Sequence, residues 1–435
     1  MSYRGRRPTG IQRVELELAR ELVGDPQVRL VRYDRDADCL RHVTTDELHS
    51  RYAWLNTTIE EPTHHASRQQ AEPESRRRRQ LARSARWGDT ARALIGLRDG
   101  VRQCAASSLQ LTRAAARALS RPRSRSASCA SASWAPGDVL CSLSLWGSTR
   151  IAEYFAEVAG RRSVRVALAV HDLVPVVRPQ YRAVSVEQDR VLFRIILDMA
   201  DVVMSFSSVT HSDIDRFCRS EQIEVPSCRT MSAASPVLAA TPVRPPSAAG
   251  LGEFVLCVST IEIRKNHHLL FDVWESLIAE RPAGAVPTLV LAGTVGWLNA
   301  ETMHRLGETP GFEQHVVFIE SPSDHELSWL YRNCCFTVYP SLYEGWGLPI
   351  TESLDAGKVC ITSNVSTMPE ASEGFGVLVD PTDRRGWKHE IVRLVDDRAA
   401  RDELEGQIRA GHRVRDASDL ARSVRLVLDE LVARP

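Results

Sequence analysis

The stretch YEGWGLPITESLDAG, Tyr343 to Gly357, gathers residue types that handle charge. Glu344 and Glu352 stand eight positions apart. Gly345 and Gly347 permit close backbone approach, and Pro349 suits the first turn of a helix, where a missing N–H costs nothing. The helix is expected to begin near Leu348, to turn Ile350 and Leu354 inward, and to end at Gly357. The backbone amides of Gly345, Trp346, Gly347 and Leu348 then offer an anion site, because a helix start leaves its first N–H groups without intrahelical acceptors. Glu344 precedes the helix and Glu352 lies on it, so they do not form an acid/base couple on one helical face. They suit two parts of one elongated ligand, Glu352 holding a ribose and Glu344 a second sugar on either side of a phosphate. Taken alone, the spacing reads first as a capping glutamate and a surface glutamate.

A second group changes that balance. In TIEIRKN (260–266), Arg264 and Lys265 directly follow an apolar run of strand length. Two cations there could neutralise a departing diphosphate. One close unit-charge pair is worth about 4 kcal/mol at ~4 Å with an effective dielectric near 20. Lys265 is also one of three lysines, with Lys358 and Lys388, in a chain that otherwise uses arginine. The alternative is a solvated basic loop. His171, followed by Asp172, closes another apolar run and could reach a sugar hydroxyl or a phosphate across a cleft; bonding to Asp172 or to backbone is the alternative. Gly10, in PTGIQRV, opens a helical segment and could line the same cleft or act as an N-cap. DRDAD (34–38) has aspartates at D-x-D spacing but no matching context, and no H-E-x-x-H or C-x-x-C pair occurs, so no metal site is expected.

The elements that must position these residues are clearest in the C-terminal half. FVLCVST (254–260), TLVLAGT (288–294), HVVFIES (315–321), CFTVYPS (335–341), KVCITSN (358–364) and GVLVDP (376–381) read as strands. NHHLLFDVWESLIAE (266–280) has helical spacing, and Asp324 is the expected cap of a helix through ELSWLYRNC. Apolar strands alternating with amphipathic helices indicate a parallel sheet covered on both faces, with ligands beyond the carboxyl ends of its strands. In the N-terminal half GIQRVELELARELV (10–23) is helical, and VRLVRYD (28–34), GDVLCSLS (137–144), SVRVALAVHD (163–172) and DVVMSFS (201–207) read as strands of a second such sheet. PVRPPSAAGLGE (242–253) is the expected linker, giving domains of 1–245 and 246–435.

Size agrees: 435 residues are too many for one ordinary core. Apolar content of 43% and charged content of 25% are those of a globular protein. No run approaches the ~20 apolar residues of a membrane span, and MSYRGRRPTG lacks the apolar region of a signal peptide. Ten cysteines without a secretory signal are expected to be reduced, in the cytoplasm, and to serve as small core residues. Between Arg68 and Arg125 there are fifteen arginines against four acids. This stretch is read as a solvated insertion that could also hold the chain at an anionic membrane surface. It has no interleaved aromatics and no reading module, so no nucleic-acid partner is expected.

TGIQRVELELARELV, HDLVP, FVLCVSTIEIRKNHHLL, LVLAGTVGWL, SDHELSWLY, PSLYEGWGLPITESLDAGKVCITSNVSTMPE and GVLVDPTD together resemble family 4 of the retaining, nucleotide-sugar-dependent glycosyltransferases. The resemblance spans most of 1–23 and 163–396. It implies a GT-B fold, two Rossmann-like domains facing across a cleft. It matches the family's Glu-x₇-Glu to Glu344 and Glu352, its basic pyrophosphate-binding pair to Arg264 and Lys265, its cleft histidine to His171 and its glycine loop to Gly10. It implies a nucleotide-sugar donor, GDP-sugar favoured over UDP-sugar, a glycan or lipid-linked acceptor, no separate cofactor and no metal. The relatives it suggests are bacterial transferases of O-antigen or exopolysaccharide, many using GDP-mannose. Two features depart from the family: the Arg-rich insertion, and a start at MSYRGRRPTG that leaves the first strand of the first sheet missing. The latter keeps open a truncated, inactive sugar-nucleotide-binding or scaffold protein.

Overall fold

Alternating strand and helix periods in the sequence produce two parallel sheets in a computed structural model of the chain. The structure describes most of residues 10–43 and 135–433, apart from positions 23–24, 26, 29–30, 35–38, 136, 144–148, 163, 182–184 and 237. The Arg-rich stretch, the loop before Gly10 and most of DRDAD lie outside the described residues.

The first half contains α1 (Gly10–Leu22), β1 (Val31–Asp34), β2 (Cys39–His42), β3 (Val139–Ser142), α2 (Thr149–Arg162), β4 (Arg165–Val170), α3 (Val186–Asp198), β5 (Val202–Ser205), α4 (Ser208–Glu221) and β6 (Ser227–Thr230). Its sheet runs β3-β4-β5-β6, all parallel. Strand alternation decides what each face meets. Val166, Leu168 and Val170 pack with Leu192 and Ile196 of α3 and Ile214 of α4. Ala167 and Ala169, one position out of phase, share a cluster with Leu18 and Leu22 of α1.

The second half contains β7 (Phe254–Val258), α5 (His267–Glu280), β8 (Thr288–Gly293), β9 (Val316–Glu320), α6 (Asp324–Asn333), β10 (Thr337–Tyr339), α7 (Leu348–Asp355), β11 (Cys360–Ser363), β12 (Val377–Val379), α8 (Arg384–Asp396), α9 (Arg398–Gly411) and α10 (Ala417–Val432). Its parallel sheet runs β12-β11-β10-β7-β8-β9. All six expected strands are present. Val255 and Cys257 face Phe271 and Trp274 of α5 and Trp387 of α8, while Phe254 and Leu256 face Leu330 and Tyr331 of α6. The order of winding reverses between β7 and β10, the switch point at which a doubly wound sheet opens a crevice.

The structure differs from the sequence expectations in five places. VRLVRYD does not join the parallel sheet; its strand pairs antiparallel with β2, as only four residues separate them and a parallel return needs a long crossover. The edge strand β6, SCRT, has no apolar run and carries no strand signal. The helix α6 is capped by Ser323 rather than Asp324, in a capping box with Glu326. The expected linker is docked: Ala248 is fully buried, Val243 N donates to the His325 carbonyl at 2.9 Å, and the Arg244 guanidinium lies 5.2 Å from the centre of the Trp329 ring. Finally, α10 belongs by packing to the first half although the chain divides at 246–435 by sequence. Leu420, Val424, Val427 and Leu431, at helical spacing, complete the cluster of Leu18, Leu22, Ala167 and Ala169.

The cluster under α10 contributes to the stability of the first half directly. Leu420→Ala is expected to cost about 2–5 kcal/mol in urea unfolding. A loss under about 0.5 kcal/mol would mean that α10 is not part of that core.

Candidate functional site

The switch point positions two loops. One follows β7 and carries Arg264 and Lys265 in a short 3-10 turn, Ile263–Lys265; the other follows β10 and carries Glu344. Backbone and side-chain bonds join them. Leu342 N donates to the Arg264 carbonyl at 2.9 Å, and Arg264 Nη1 donates to the Tyr343 carbonyl at 2.6 Å. Asn266, in the left-handed region at φ 58°, donates through Nδ2 to the carbonyls of Pro340 at 3.2 Å and Pro381 at 3.0 Å. An asparagine tolerates that backbone better than most residues and brings its own donor.

The charged side chains meet in a compact cluster. Glu344 Oε1 accepts from Lys265 Nζ at 2.6 Å, from the Tyr339 hydroxyl at 2.8 Å and from the Ser341 hydroxyl at 2.5 Å. Glu344 Oε2 pairs with Arg264 Nη1 at 2.5 Å, and Arg264 Nη2 donates to Glu262 Oε1 at 2.6 Å. Burial works against the Glu344 charge, but Arg264, Lys265 and the donated hydrogen bonds outweigh it and bring its carboxyl down to about 2. Burial also works against the Arg264 charge, and is outweighed by Glu344 and Glu262, so that guanidinium is held above its usual range. Burial and the neighbouring Arg264 lower Lys265 from the usual lysine range, with Glu344 and Glu262 opposing. The expectation that Glu344 faces a sugar is thus changed in one respect: its carboxylate points into the protein and serves the basic pair. The side chains of Arg264 and Lys265 keep 16% and 11% of their surface exposed.

The helix α7 starts at Leu348, as expected, after Gly347 at φ 112°, and no side chain caps it. Gly357, at φ 70°, follows its end. Trp346 packs its ring against Tyr339, Ile350 and Met368, and its Nε1 is buried without a hydrogen-bond partner. Glu352 lies on α7, 5% exposed, and accepts from the Tyr331 hydroxyl of α6 at 2.7 Å. Gly345 packs against the first half: a Cβ there would come within 2.2 Å of the His171 carbonyl oxygen. His171 donates through Nε2 to the Leu143 carbonyl at 2.8 Å and stacks on Phe206 at 4.8 Å between ring centres. Burial lowers its pKa, against the Leu143 bond and Asp172, which keeps the ring neutral at pH 7. Arg264, Lys265, Glu344, Gly345 and His171 therefore converge, while Glu352 stands further along α7 and Gly10 opens α1. Among the described residues no group of three or more His, Cys, Asp or Glu is arranged to hold a metal.

Glu262, Asn266, Tyr339 and Ser341 of the cluster, and Tyr331 beside Glu352, carry no motif of their own in the sequence. Glu262 and Asn266 flank the basic pair, and Tyr339 and Ser341 flank the end of a strand already placed at the ligand edge. That adjacency was the available signal. Tyr331, on another helix, had none.

With this geometry established, known proteins supply a frame. Residues 246–410 match the family model described as Glycosyl transferases group 1. An O-antigen chain mannosyltransferase B of Escherichia coli is 31% identical over 144 residues, 33% of this chain and 37% of that protein. A serotype-specific mannosyltransferase WbdA, also of Escherichia coli, is 31% identical over 154 residues, 35% of this chain and 19% of that protein. A GDP-mannose:cellobiosyl-diphosphopolyprenol alpha-mannosyltransferase of Komagataeibacter xylinus is 28% identical over 29% of this chain and 32% of that protein. The matched stretch thus spans little more than a third of the first of these relatives and less of the others. Among solved structures, Anabaena Alr3699/HepE in complex with UDP-glucose superposes with a TM-score of 0.54 at 16% identity, covering 67% of this chain and 79% of that one. The sucrose-phosphate synthase of Thermosynechococcus elongatus gives 0.52 at 20% identity, covering 66% and 72%. The fold is GT-B, with the cluster at the carboxyl edge of its second sheet.

The low carboxyl of Glu344 sets a pH signature. Its folded value of about 2 lies below the ordinary 4.5, so its contribution to stability is fully present above about pH 4.5 and is lost as pH falls toward 2. Glu344→Gln, which cannot ionise, is expected to be less stable than the unsubstituted chain by about 3 kcal/mol at pH 6, a gap that narrows steadily below pH 4.5. Urea unfolding across that range measures it. A gap independent of pH would show that Glu344 is not held as a carboxylate.

Proposed function

We propose that this chain is a retaining, metal-independent glycosyltransferase of bacterial surface polysaccharide synthesis. It moves a hexosyl group, mannose in the first instance, from a nucleotide-diphosphate sugar to a glycan or lipid-linked acceptor, with a GDP-sugar favoured over a UDP-sugar. The observation that carries the reading is that Arg264 and Lys265, at the switch point, are joined through Glu344 to the loop that leads into the uncapped start of α7. The mannosyltransferase names of the relatives and the GDP-mannose named for one of them support the choice of sugar and base. In this reading the chain works in the cytoplasm and touches the inner face of the membrane peripherally through the Arg-rich stretch.

In this reading, charge builds on the diphosphate as its bond to the anomeric carbon lengthens. Lys265, Arg264 and the amides of Gly345 to Leu348 meet that charge, and they do so without reorganising because the cluster is already built. Together Arg264 and Lys265 balance Glu262 and Glu344, so the cluster is neutral before the ligand enters. Glu344 thereby sets where the two cations sit, and its loop faces the donor sugar. His171, neutral and fixed by Leu143, lines the sugar from the first half. Glu352 takes the ribose from its place on α7.

Incubation of the chain with GDP-mannose and polyprenyl-linked glycan from a polysaccharide-producing strain is expected to release GDP, to proceed in EDTA, and to give a product of unchanged anomeric configuration by NMR. Lys265→Ala is expected to lower turnover a hundredfold or more, about 3 kcal/mol in the transition state. Undiminished turnover in that variant, or no release from any GDP- or UDP-sugar, would end the reading.

A further inference from the structure

We propose that Tyr343 and Asp213 form a clasp between the two halves that positions the Glu344 loop, a role that deepens the transferase reading and rests on it. The first turns of α4, in the first half, meet the second half in three places. Ser208 donates to the Glu370 carboxylate through N at 3.0 Å and through Oγ at 2.8 Å. Thr210 Oγ1 donates to the Gly345 carbonyl at 3.4 Å. Asp213 accepts the Tyr343 hydroxyl. Tyr343 and Asp213 are 6% and 2% exposed, so this last bond is shielded from water and worth more than a surface contact. Arg178 lies 4.9 Å from the centre of the Tyr343 ring, and Arg216 pairs with Asp213, so the carboxylate is compensated on its own side as well. Burial first, then Asp213, pushes the Tyr343 hydroxyl up, so it stays a donor at any working pH.

The position of this bond along the chain is what gives it a role beyond adhesion. Tyr343 holds Arg264 through its own carbonyl, and the next residue is Glu344. On the other side of Glu344, Gly345 is seated on the His171 carbonyl and under Thr210. Glu344 is thus bracketed by two residues that are both fastened to the first half. Neither bracket is supplied by the second half alone. If α4 withdraws, Tyr343 loses Asp213 and the Gly345 carbonyl loses Thr210, which leaves the Glu344 loop its seat on the His171 carbonyl and the bonds of the Glu344 backbone to Ser366. Tyr343 and Asp213 are positioning residues, acting on the diphosphate through Glu344 and Arg264.

The test uses the whole chain and two mild substitutions. Tyr343→Phe keeps the ring under Arg178 and removes only the hydroxyl; Asp213→Asn keeps the volume and the acceptor oxygen but removes the charge. Amide hydrogen exchange, read without any ligand, is expected to speed up at 341–348 and in the first turn of α4 in both variants, with β8 unchanged. With GDP-mannose, well below the melting temperature, kcat is expected to fall about tenfold to a hundredfold while KM for the donor moves less than about threefold. The double variant is expected to be no worse than the weaker single one, since the two act through one bond. Unchanged exchange at 341–348, or a lower melting temperature with unchanged kcat, would overturn the clasp. Should the unsubstituted chain transfer no sugar, the transferase reading fails by itself, and the exchange data alone then decide whether Tyr343 and Asp213 hold the loop.

Discussion

One carboxylate held between two cations organises this protein. Arg264 and Lys265 are neighbours in sequence, and side by side in a partly buried turn they repel each other. Glu344 resolves that repulsion by binding both, with Tyr339 and Ser341 completing its shell. Such an arrangement is costly to break from one side, because the remaining charge is left buried and unpaired. The sheet brings the three together: β7 and β10 are adjacent only because the winding order reverses between them. The loops beyond those strands therefore inherit their proximity from topology, and the hydrogen bonds between them set the details.

The rest of the molecule supports that point from two directions. In the second half, both faces of the sheet are packed by large side chains, among them Trp274, Trp387 and Tyr331, all fully buried. Close packing on both faces holds the strand ends in place beneath the loops that they carry. The first half reaches the same loop through His171 and α4. It also receives α10, so the chain crosses between the halves a second time, and the α9-to-α10 connection is tied by His412 to Asp355 at 2.7 Å and by Ser235 N to the Arg415 carbonyl at 2.9 Å.

What could be read in the sequence follows the range of the interactions involved. Elements with their own period were legible: six strands of the second sheet, α1, and α7 with Pro349 in its first turn and Gly357 beyond its end. So was the ligand edge, since Arg264 and Glu344 both come directly after strands. What was not legible depends on partners far away in the chain. The inward turn of Glu344, the Tyr331 hydroxyl on Glu352 and the Asp213–Tyr343 bond have no local signature. β6 carries polar residues because it sits at an edge, and α10 looks like any amphipathic helix until the surface it covers is known. The composition of the proline-rich stretch 242–253 disfavours helix and strand and so suggests a linker; composition says nothing against its docking on Trp329.

The most direct measurement is a crystal structure of the chain with GDP. The diphosphate is expected at the start of α7, with its oxygens within about 3 Å of Lys265 Nζ and of the Gly347 or Leu348 amide. GDP bound with its diphosphate directed away from that pair, or at another edge of the sheets, would contradict it.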